Sequence, residues 1–345
     1  MIEHRGQFLL LLFAFWCCGT LFAGTQGRFL LMEWNVENLY DTCHNVGVDD
    51  RDFLPDGTYK WGQRRYLHKL SQIARTIASA GGVSPVDLVA LCEVENDSVL
   101  VQLTQRSVLG RLGYKYVMTH SADRRGMNVA LLYQPGRFKP VAVQIIRIPH
   151  MNSERPTRDI LHVAGVVPTL DTLDVYVCHL PSRSGGQYLT DSYRLRGAML
   201  MRMNIDSVFN IRKRPLIVIT GDFNDEPQNN SFRKGLLARS LSQSENYEKR
   251  ILYILSDNLY TYKGIRGTYF YQGTWNRLDH VVVNGGLLNE TSSFRMERRG
   301  CKILDFHWLL KNDSKGSEVP KRTFLGTFYQ GGISDHLPLL TYFEF

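Results

Sequence analysis

The chain has 345 residues, 43% hydrophobic and 21% charged, which is ordinary globular composition and enough length for a large core in one or two domains. Its formal net charge of +8 favours polyanionic partners such as nucleic acid or phosphorylated headgroups without requiring them. Six cysteines at these spacings exclude both a zinc cluster and a dense disulfide scaffold.

The first element in chain order reads as an export signal, residues 1–23. Arg5 supplies the positive charge, FLLLLFAFW (8–16) the short apolar run, and TLFAG the small residues for cleavage near Ala23. This run is too short for a comfortable membrane span, and no later stretch approaches the roughly 20 apolar residues a span needs. A lipid anchor on Cys17 or Cys18 ranks second, because AFWC lacks the small residues wanted before such a site. The expectation is therefore a periplasmic or secreted protein with no transmembrane segment in the mature chain.

Short apolar runs bounded by polar or glycine punctuation then predict strands: FLLMEWNV (29–36), DLVALCEV (87–94), NVALLYQ (128–134), LDVYVCHL (173–180), PLIVITGDF (215–223), LDHVVVN (278–284) and the C-terminal LPLLTYFEF. Between them Leu67, Leu70, Ala74 and Ile77, and later Ala198, Met201, Ile205 and Val208, repeat at helical spacing, so both helices should lie on sheet. With no repeat, linker or composition break, one α/β domain over 28–345 is the economical organisation. Segment 309–323 reads as an exposed loop, and TYFYQGTW (268–275) as two strand ends packed in the core. Cys92 and Cys178, inside strands, should be buried thiols; a Cys43–Cys301 pair is left open.

Polar outliers fall at the ends of these strands: Asn35 and Glu37, Glu93 and Glu95, His179, Asp222 and Asn224, Asp279 with His280, and Ser334-Asp335-His336. Delivered this way, they can converge on one rim of a sheet, where open α/β folds keep their sites. Carboxylate, amide and imidazole without thiolate suit magnesium, manganese or calcium better than zinc. They also supply what phosphate ester hydrolysis needs: neutralisation of the phosphate, activation of water, and stabilisation of the leaving oxygen. Singly, each has a plain reading. GDFND alone is more often a turn, and His179 alone is more often a satisfied core histidine. Glu93 is harder to dismiss, since an unpaired carboxylate ending a buried strand costs several kcal/mol. Asp279 and His336 together supply a carboxylate and an imidazole for an oriented general base.

In order, WNVENL, LCEVEN, VCHLPSR, GDFND, RLDHV and SDHLPL resemble the endonuclease/exonuclease/phosphatase superfamily, from about Asn35 to Pro338. The resemblance implies a four-layer α/β sandwich of two packed mixed β-sheets flanked by helices. It implies Glu93 as the principal ligand of a Mg2+-type ion (Mn2+ or Ca2+ as alternatives), helped by Asn35 and, across the site, Asp335. It further implies Asp222 and Asn224 positioning water and phosphate, His336 facing the phosphate with Asp279 orienting it, and His179 protonating or stabilising the leaving oxygen. Arg158 corresponds to an arginine that reaches the scissile phosphate in deoxyribonuclease-like members, and Arg183 is a further substrate-binding candidate; Arg124 and Arg125 read as solvated surface or backbone-steering charges. Where such members pair the second histidine with a glutamate, this chain offers Asn128, which puts the acid role of His179 in question.

The substrate expected first is nucleic acid, on the basic charge, the paired histidines and the export. Sphingomyelinase-like headgroup cleavage comes second and a sugar or inositol phosphate phosphatase third. A binding module without turnover is the alternative from another class. The expected state is a monomer.

Overall fold

The computed structural model describes residues 27–345 other than 151–154, 242–246, 258, 260 and 262; the expected export signal lies outside the described residues. The first apolar run is β1 (Arg28–Leu39), followed by the amphipathic α1 (Gln63–Gly81), β2 (Leu88–Val94) and α2 (Asp97–Gln105). Next come β3 (Lys115–Met118), β4 (Asn128–Tyr133), β5 (Lys139–Ile146), β6 (Ile160–Val166) and β7 (Thr172–His179). The 25-residue α3 (Gln187–Ile211) leads to β8 (Leu216–Asp222), β9 (Arg239–Ser240) and β10 (Leu252–Ile254). A hairpin of β11 (Tyr269–Tyr271) and β12 (Thr274–Asn276) precedes β13 (Asp279–Asn284) and β14 (Arg295–Ile303). Two more hairpins, β15 (Leu310–Asn312) with β16 (Glu318–Pro320) and β17 (Phe324–Leu325) with β18 (Phe328–Tyr329), lead to β19 (Leu339–Glu344).

One sheet has the order β14-β19-β1-β2-β4-β3 and the other β5-β6-β7-β8-β13-β10-β9. Both are mixed, with parallel pairs β1/β2 and β7/β8 among antiparallel ones. Side chains alternate across a strand, and this alternation divides the core. Val175 and Val177 of β7 and Val218 of β8 join the cluster that holds Leu31 of β1 and Ala90 of β2, whereas Tyr176, Cys178, Ile217 and Ile219 pack with Met201 and Ile205 of α3. Strands covered on both faces read as unbroken apolar runs, which is why β2, β7 and β8 are so evident in the sequence. The result is a four-layer α/β sandwich, with α1 on the outside of the first sheet and α3 on the outside of the second.

Three expectations need correction. Segment 309–323 is the β15/β16 hairpin rather than an exposed loop: Leu310 and Val319 are buried, and Asp313 accepts hydrogen bonds from the Lys315 and Ser317 amides across its turn. TYFYQGTW is not packed in the core but forms the separate β11/β12 hairpin, turned by Gln272 and Gly273, both at positive φ, the conformation a two-residue hairpin loop requires. On α1, Leu67 faces solvent and Lys69 is buried instead, its ammonium donating to the Glu37 carbonyl and to Thr323 Oγ1. Cys92 and Cys178 are buried thiols as expected, and Cys43 and Cys301 are unpaired.

Candidate active site

Strand register brings the polar outliers together. In the parallel β7/β8 pair His179 lies beside Asp222, and in the antiparallel β8/β13 pair Asp222 lies beside Asp279. The carboxyl ends of β7 and β8 therefore meet the amino end of β13 on one rim, and the turn into β19 carries His336 to the same place. From the first sheet, β1 and β2 contribute Asn35 and Glu93. The ladder slips between Asn35 and Leu39 and between Cys92 and Val94, and Glu37, Asn38 and Glu93 have positive φ. Such bulges are devices for re-aiming a side chain at the end of a strand, and here the device turns Glu93 toward the second sheet.

Successive separations across the rim are short. His179 Nε2 is 3.9 Å from Glu93 Oε1 and 3.5 Å from Asp222 Oδ2, which is 4.0 Å from His336 Nε2; that nitrogen is 3.9 Å from Asp335 Oδ1. Asp222 is held by the Asn35 side-chain amide at 3.0 Å and the Asn224 backbone amide at 2.8 Å. Asp279 Oδ2 lies 2.7 Å from His336 Nδ1 and also accepts from the Thr268 hydroxyl, fixing the ring. Arg158 donates to the Leu180 carbonyl at 2.9 Å, leaving its buried Nε without a partner, close enough to bear on the charge of His179.

Two expected substrate contacts are placed otherwise. Asn128 donates to the Glu95 and Gly126 carbonyls and accepts from the Ser121 amide, so it ties two loops together and does not stand in for a glutamate beside His179. Arg183 donates to the Asn224 carbonyl at 2.7 Å and buttresses the GDFND turn from behind.

The two histidines are shifted in opposite directions. Burial, with Arg158 and Arg125 nearby, pushes His179 well below the usual histidine value. Burial alone would lower His336 too, but the adjacent Asp279 carboxylate, with Asp335 beyond it, holds it well above that value. Two imidazoles shifted in opposite directions therefore face each other across Asp222, whose own carboxyl is raised by burial and by Asp279. Raised in this way, His336 is suited to donating a hydrogen bond, whereas the general base expected from its pairing with Asp279 would have to accept a proton.

Several neighbours carried no recognisable sequence pattern. Arg125 is exposed, as expected, and its Nη2 also lies 3.6 Å from Glu93 Oε1. The Tyr269 ring lies 4.7 Å from that of His336. Glu33 is fully buried beneath the rim, its carboxyl pushed well up by burial and by Asp279 and Asp222. The alternation of β1, which turns residue 33 inward, was the one available signal for it.

The donor set fits a hard divalent cation. Glu93 is partly open to solvent, its Oε2 taking a hydrogen bond from the Asn38 amide, and the thiols of Cys92 and Cys178 are buried, that of Cys92 donating to the Cys178 carbonyl. The tightest group of ligand atoms, from Asp222, Asp279 and His336 within 4.8 Å of one another, is already bonded internally as the oriented imidazole. Asn35 presents its amide N–H to Asp222, while its oxygen accepts from the Glu37 amide, and Asp335 is paired with Arg322 at 2.5 Å. Of the three expected ligands, Glu93 and Asp335 each keep one carboxylate oxygen, Oε1 and Oδ1, without a hydrogen bond and beside a histidine, whereas both polar atoms of the Asn35 side chain are engaged.

Comparison with family models matches residues 31–345 to the Endonuclease/Exonuclease/phosphatase family. The chain belongs to this family. Family members generally use a divalent metal, and the acidic and histidine cluster here accords with that. Among solved structures, a humanized D. rerio TDP2 superposes at TM-score 0.56 and 14% identity, covering 92% of this chain and 98% of its own. A Bacteroides thetaiotaomicron mannosyl-6-phosphatase matches at TM-score 0.55 and 16% identity, covering 92% and 100%. The human Nocturnin catalytic domain matches at 0.50 and 16%, covering 92% and 94%. At these identities the likeness is one of endonuclease/exonuclease/phosphatase fold. No curated protein matched.

Proposed function

We propose that this endonuclease/exonuclease/phosphatase member is a divalent-metal-dependent phosphodiesterase, with nucleic acid as its first substrate class. The observation that carries this reading is the run of separations of 4.0 Å or less linking Glu93, His179, Asp222, His336 and Asp335 on one rim, with Asp279 locking the imidazole. Glu93, with Asp222 near it, would hold a Mg2+-class ion, and such an ion supplies neutralisation of phosphate charge. His336, kept charged by Asp279, donates to a phosphate oxygen. Asp222, raised by burial and Asp279, accepts a proton from water more readily than an exposed carboxylate would. His179 stays neutral beside it and is available to the leaving oxygen. Export of a monomeric protein is part of this proposal, resting on Arg5, the apolar run at 8–16 and the small residues near Ala23.

A side-by-side screen of plasmid DNA, RNA, sphingomyelin and inositol phosphates with Mg2+, Mn2+ or Ca2+ tests the substrate. Cleavage of a polynucleotide above the others supports the reading. Turnover confined to lipid or monoester substrates overturns the nucleic-acid assignment, and no metal-dependent turnover on any of them favours the binding-module alternative.

A further inference from the structure

A cavity of about 260 Å3 opens between the β11/β12, β15/β16 and β17/β18 hairpins, lined by Phe270 and Tyr271, Pro320, Leu325, and the cations Lys311 and Arg322, with Asp335 in its wall. None of these hairpins belongs to either large sheet, so the cavity lies outside both. Its connection to the chemistry is direct. Asp335 Oδ2 is 2.5 Å from Arg322 Nη2 on the cavity side, and its Oδ1 is 3.9 Å from His336 Nε2 on the catalytic side. The β11 strand is shared in the same way: Tyr269 lies against His336 while Phe270 and Tyr271 line the cavity.

We propose that this cavity holds the nucleobase next to the scissile phosphate, so that the phosphodiesterase reading, on which this inference rests, narrows to unstacked or terminal nucleotides. Three features favour a base. The volume lies just below the ~300–1,000 Å3 of ordinary small-molecule sites, which suits one planar substituent and not a stretch of polymer. Tyr271 and Leu325 are 52% and 56% exposed, leaving apolar surface for a ring to cover. Lys311 and Arg322, the latter paired with Asp335, bring positive charge to the lining, and a nucleotide carries negative charge beside its base. A base inside a duplex is stacked on its neighbours and cannot enter without being extruded at a cost of a few kcal/mol. Single strands and chain ends meet no such cost.

The test compares thymidylyl-thymidine with analogues in which the base on one or the other side of the phosphate is replaced by an abasic tetrahydrofuran residue. Removing one base should raise KM about tenfold and the other much less, because base–aromatic stacking is of that size. In Tyr271→Ala and in Leu325→Ala, whose side chains are too exposed to hold the fold, the ratio should fall toward one, with unchanged melting temperatures showing that folding is intact. A saturation-transfer NMR measurement on thymidine 5′-monophosphate in EDTA gives a readout independent of turnover: the base protons should receive saturation in the wild type and lose most of it in Tyr271→Ala. Equal KM values for all three substrates, or base protons no more saturated than the sugar in the wild type, overturn the proposal. Failure of the phosphodiesterase reading shows itself differently, as no hydrolysis of any dinucleotide, and in that event the NMR result alone decides the cavity.

Discussion

At His336 the ring nitrogen facing Asp279 is 2.7 Å from the carboxylate, which is itself held by Thr268 and fully enclosed. In a site where burial alone would lower the imidazole's pKa, this contact is the largest of those that raise it, with Asp335 and Asp222 adding to it. Asp279→Asn keeps the shape and removes the charge, so the His336 pKa should drop. If the reaction uses His336 as a cation, kcat/KM falls as pH rises through that pKa. The alkaline limb of the pH–rate profile should therefore move to lower pH in Asp279→Asn, with kcat/KM at pH 8 reduced roughly 100-fold or more. An unmoved limb would show that another group sets it. Charge at this scale was only partly legible in the sequence. SDH and LDH gave the pair, but only the fold brings Arg125 and Arg158 close enough to His179 to help keep it neutral.

Strand ends do the positioning, and the sharpest local demand is at Gly221, immediately before Asp222. Its φ is +135°, and a Cβ there would stand 1.9 Å from the Cys178 carbonyl oxygen on the adjoining strand β7. Gly221→Ala should therefore cost about 2–4 kcal/mol in chemical denaturation, by forcing apart the strands that carry His179 and Asp222; a cost below about 0.5 kcal/mol would mean that the register tolerates it. This glycine shows what GDFND encodes. The apolar run builds a strand buried on both faces, the glycine lets it crowd its neighbour, and Asn224 at positive φ turns the chain so that its amide caps Asp222. These elements were readable because burial on both faces leaves an unbroken apolar run. The three small hairpins were not, since strands of two or three residues have no period to detect and their turn signals, Gln-Gly and Asp-Ser-Lys-Gly, are short.

Across the whole molecule, stability depends on carboxyl groups enclosed where the two sheets open. Glu95, at the end of β2, accepts hydrogen bonds from the Asp41 amide and the Asn45 side chain and so pins the 41–50 loop; burial raises its pKa to about 7. A carboxyl raised in the folded state binds its proton more tightly there than in the unfolded chain. Its contribution is full below the unfolded value near 4.5 and is lost as pH climbs through about 7. Stability should fall between these limits by up to about 1.4 kcal/mol per pH unit from this group, and Glu95→Gln should flatten that part of the curve in urea denaturation at pH 5 and pH 7.5. A curve of unchanged slope in the variant would remove Glu95 from the account.

The central claim is that residues spread along three hundred positions of the chain form one metal-assisted phosphoester site. Hydrolysis of bis-p-nitrophenyl phosphate by the purified protein, with Mg2+, with EDTA, and in His336→Ala, tests it most directly. The account predicts turnover with Mg2+ that EDTA abolishes and Mg2+ restores, and a loss of roughly 100-fold or more in His336→Ala. Turnover indifferent to EDTA, or retained in His336→Ala, would contradict it.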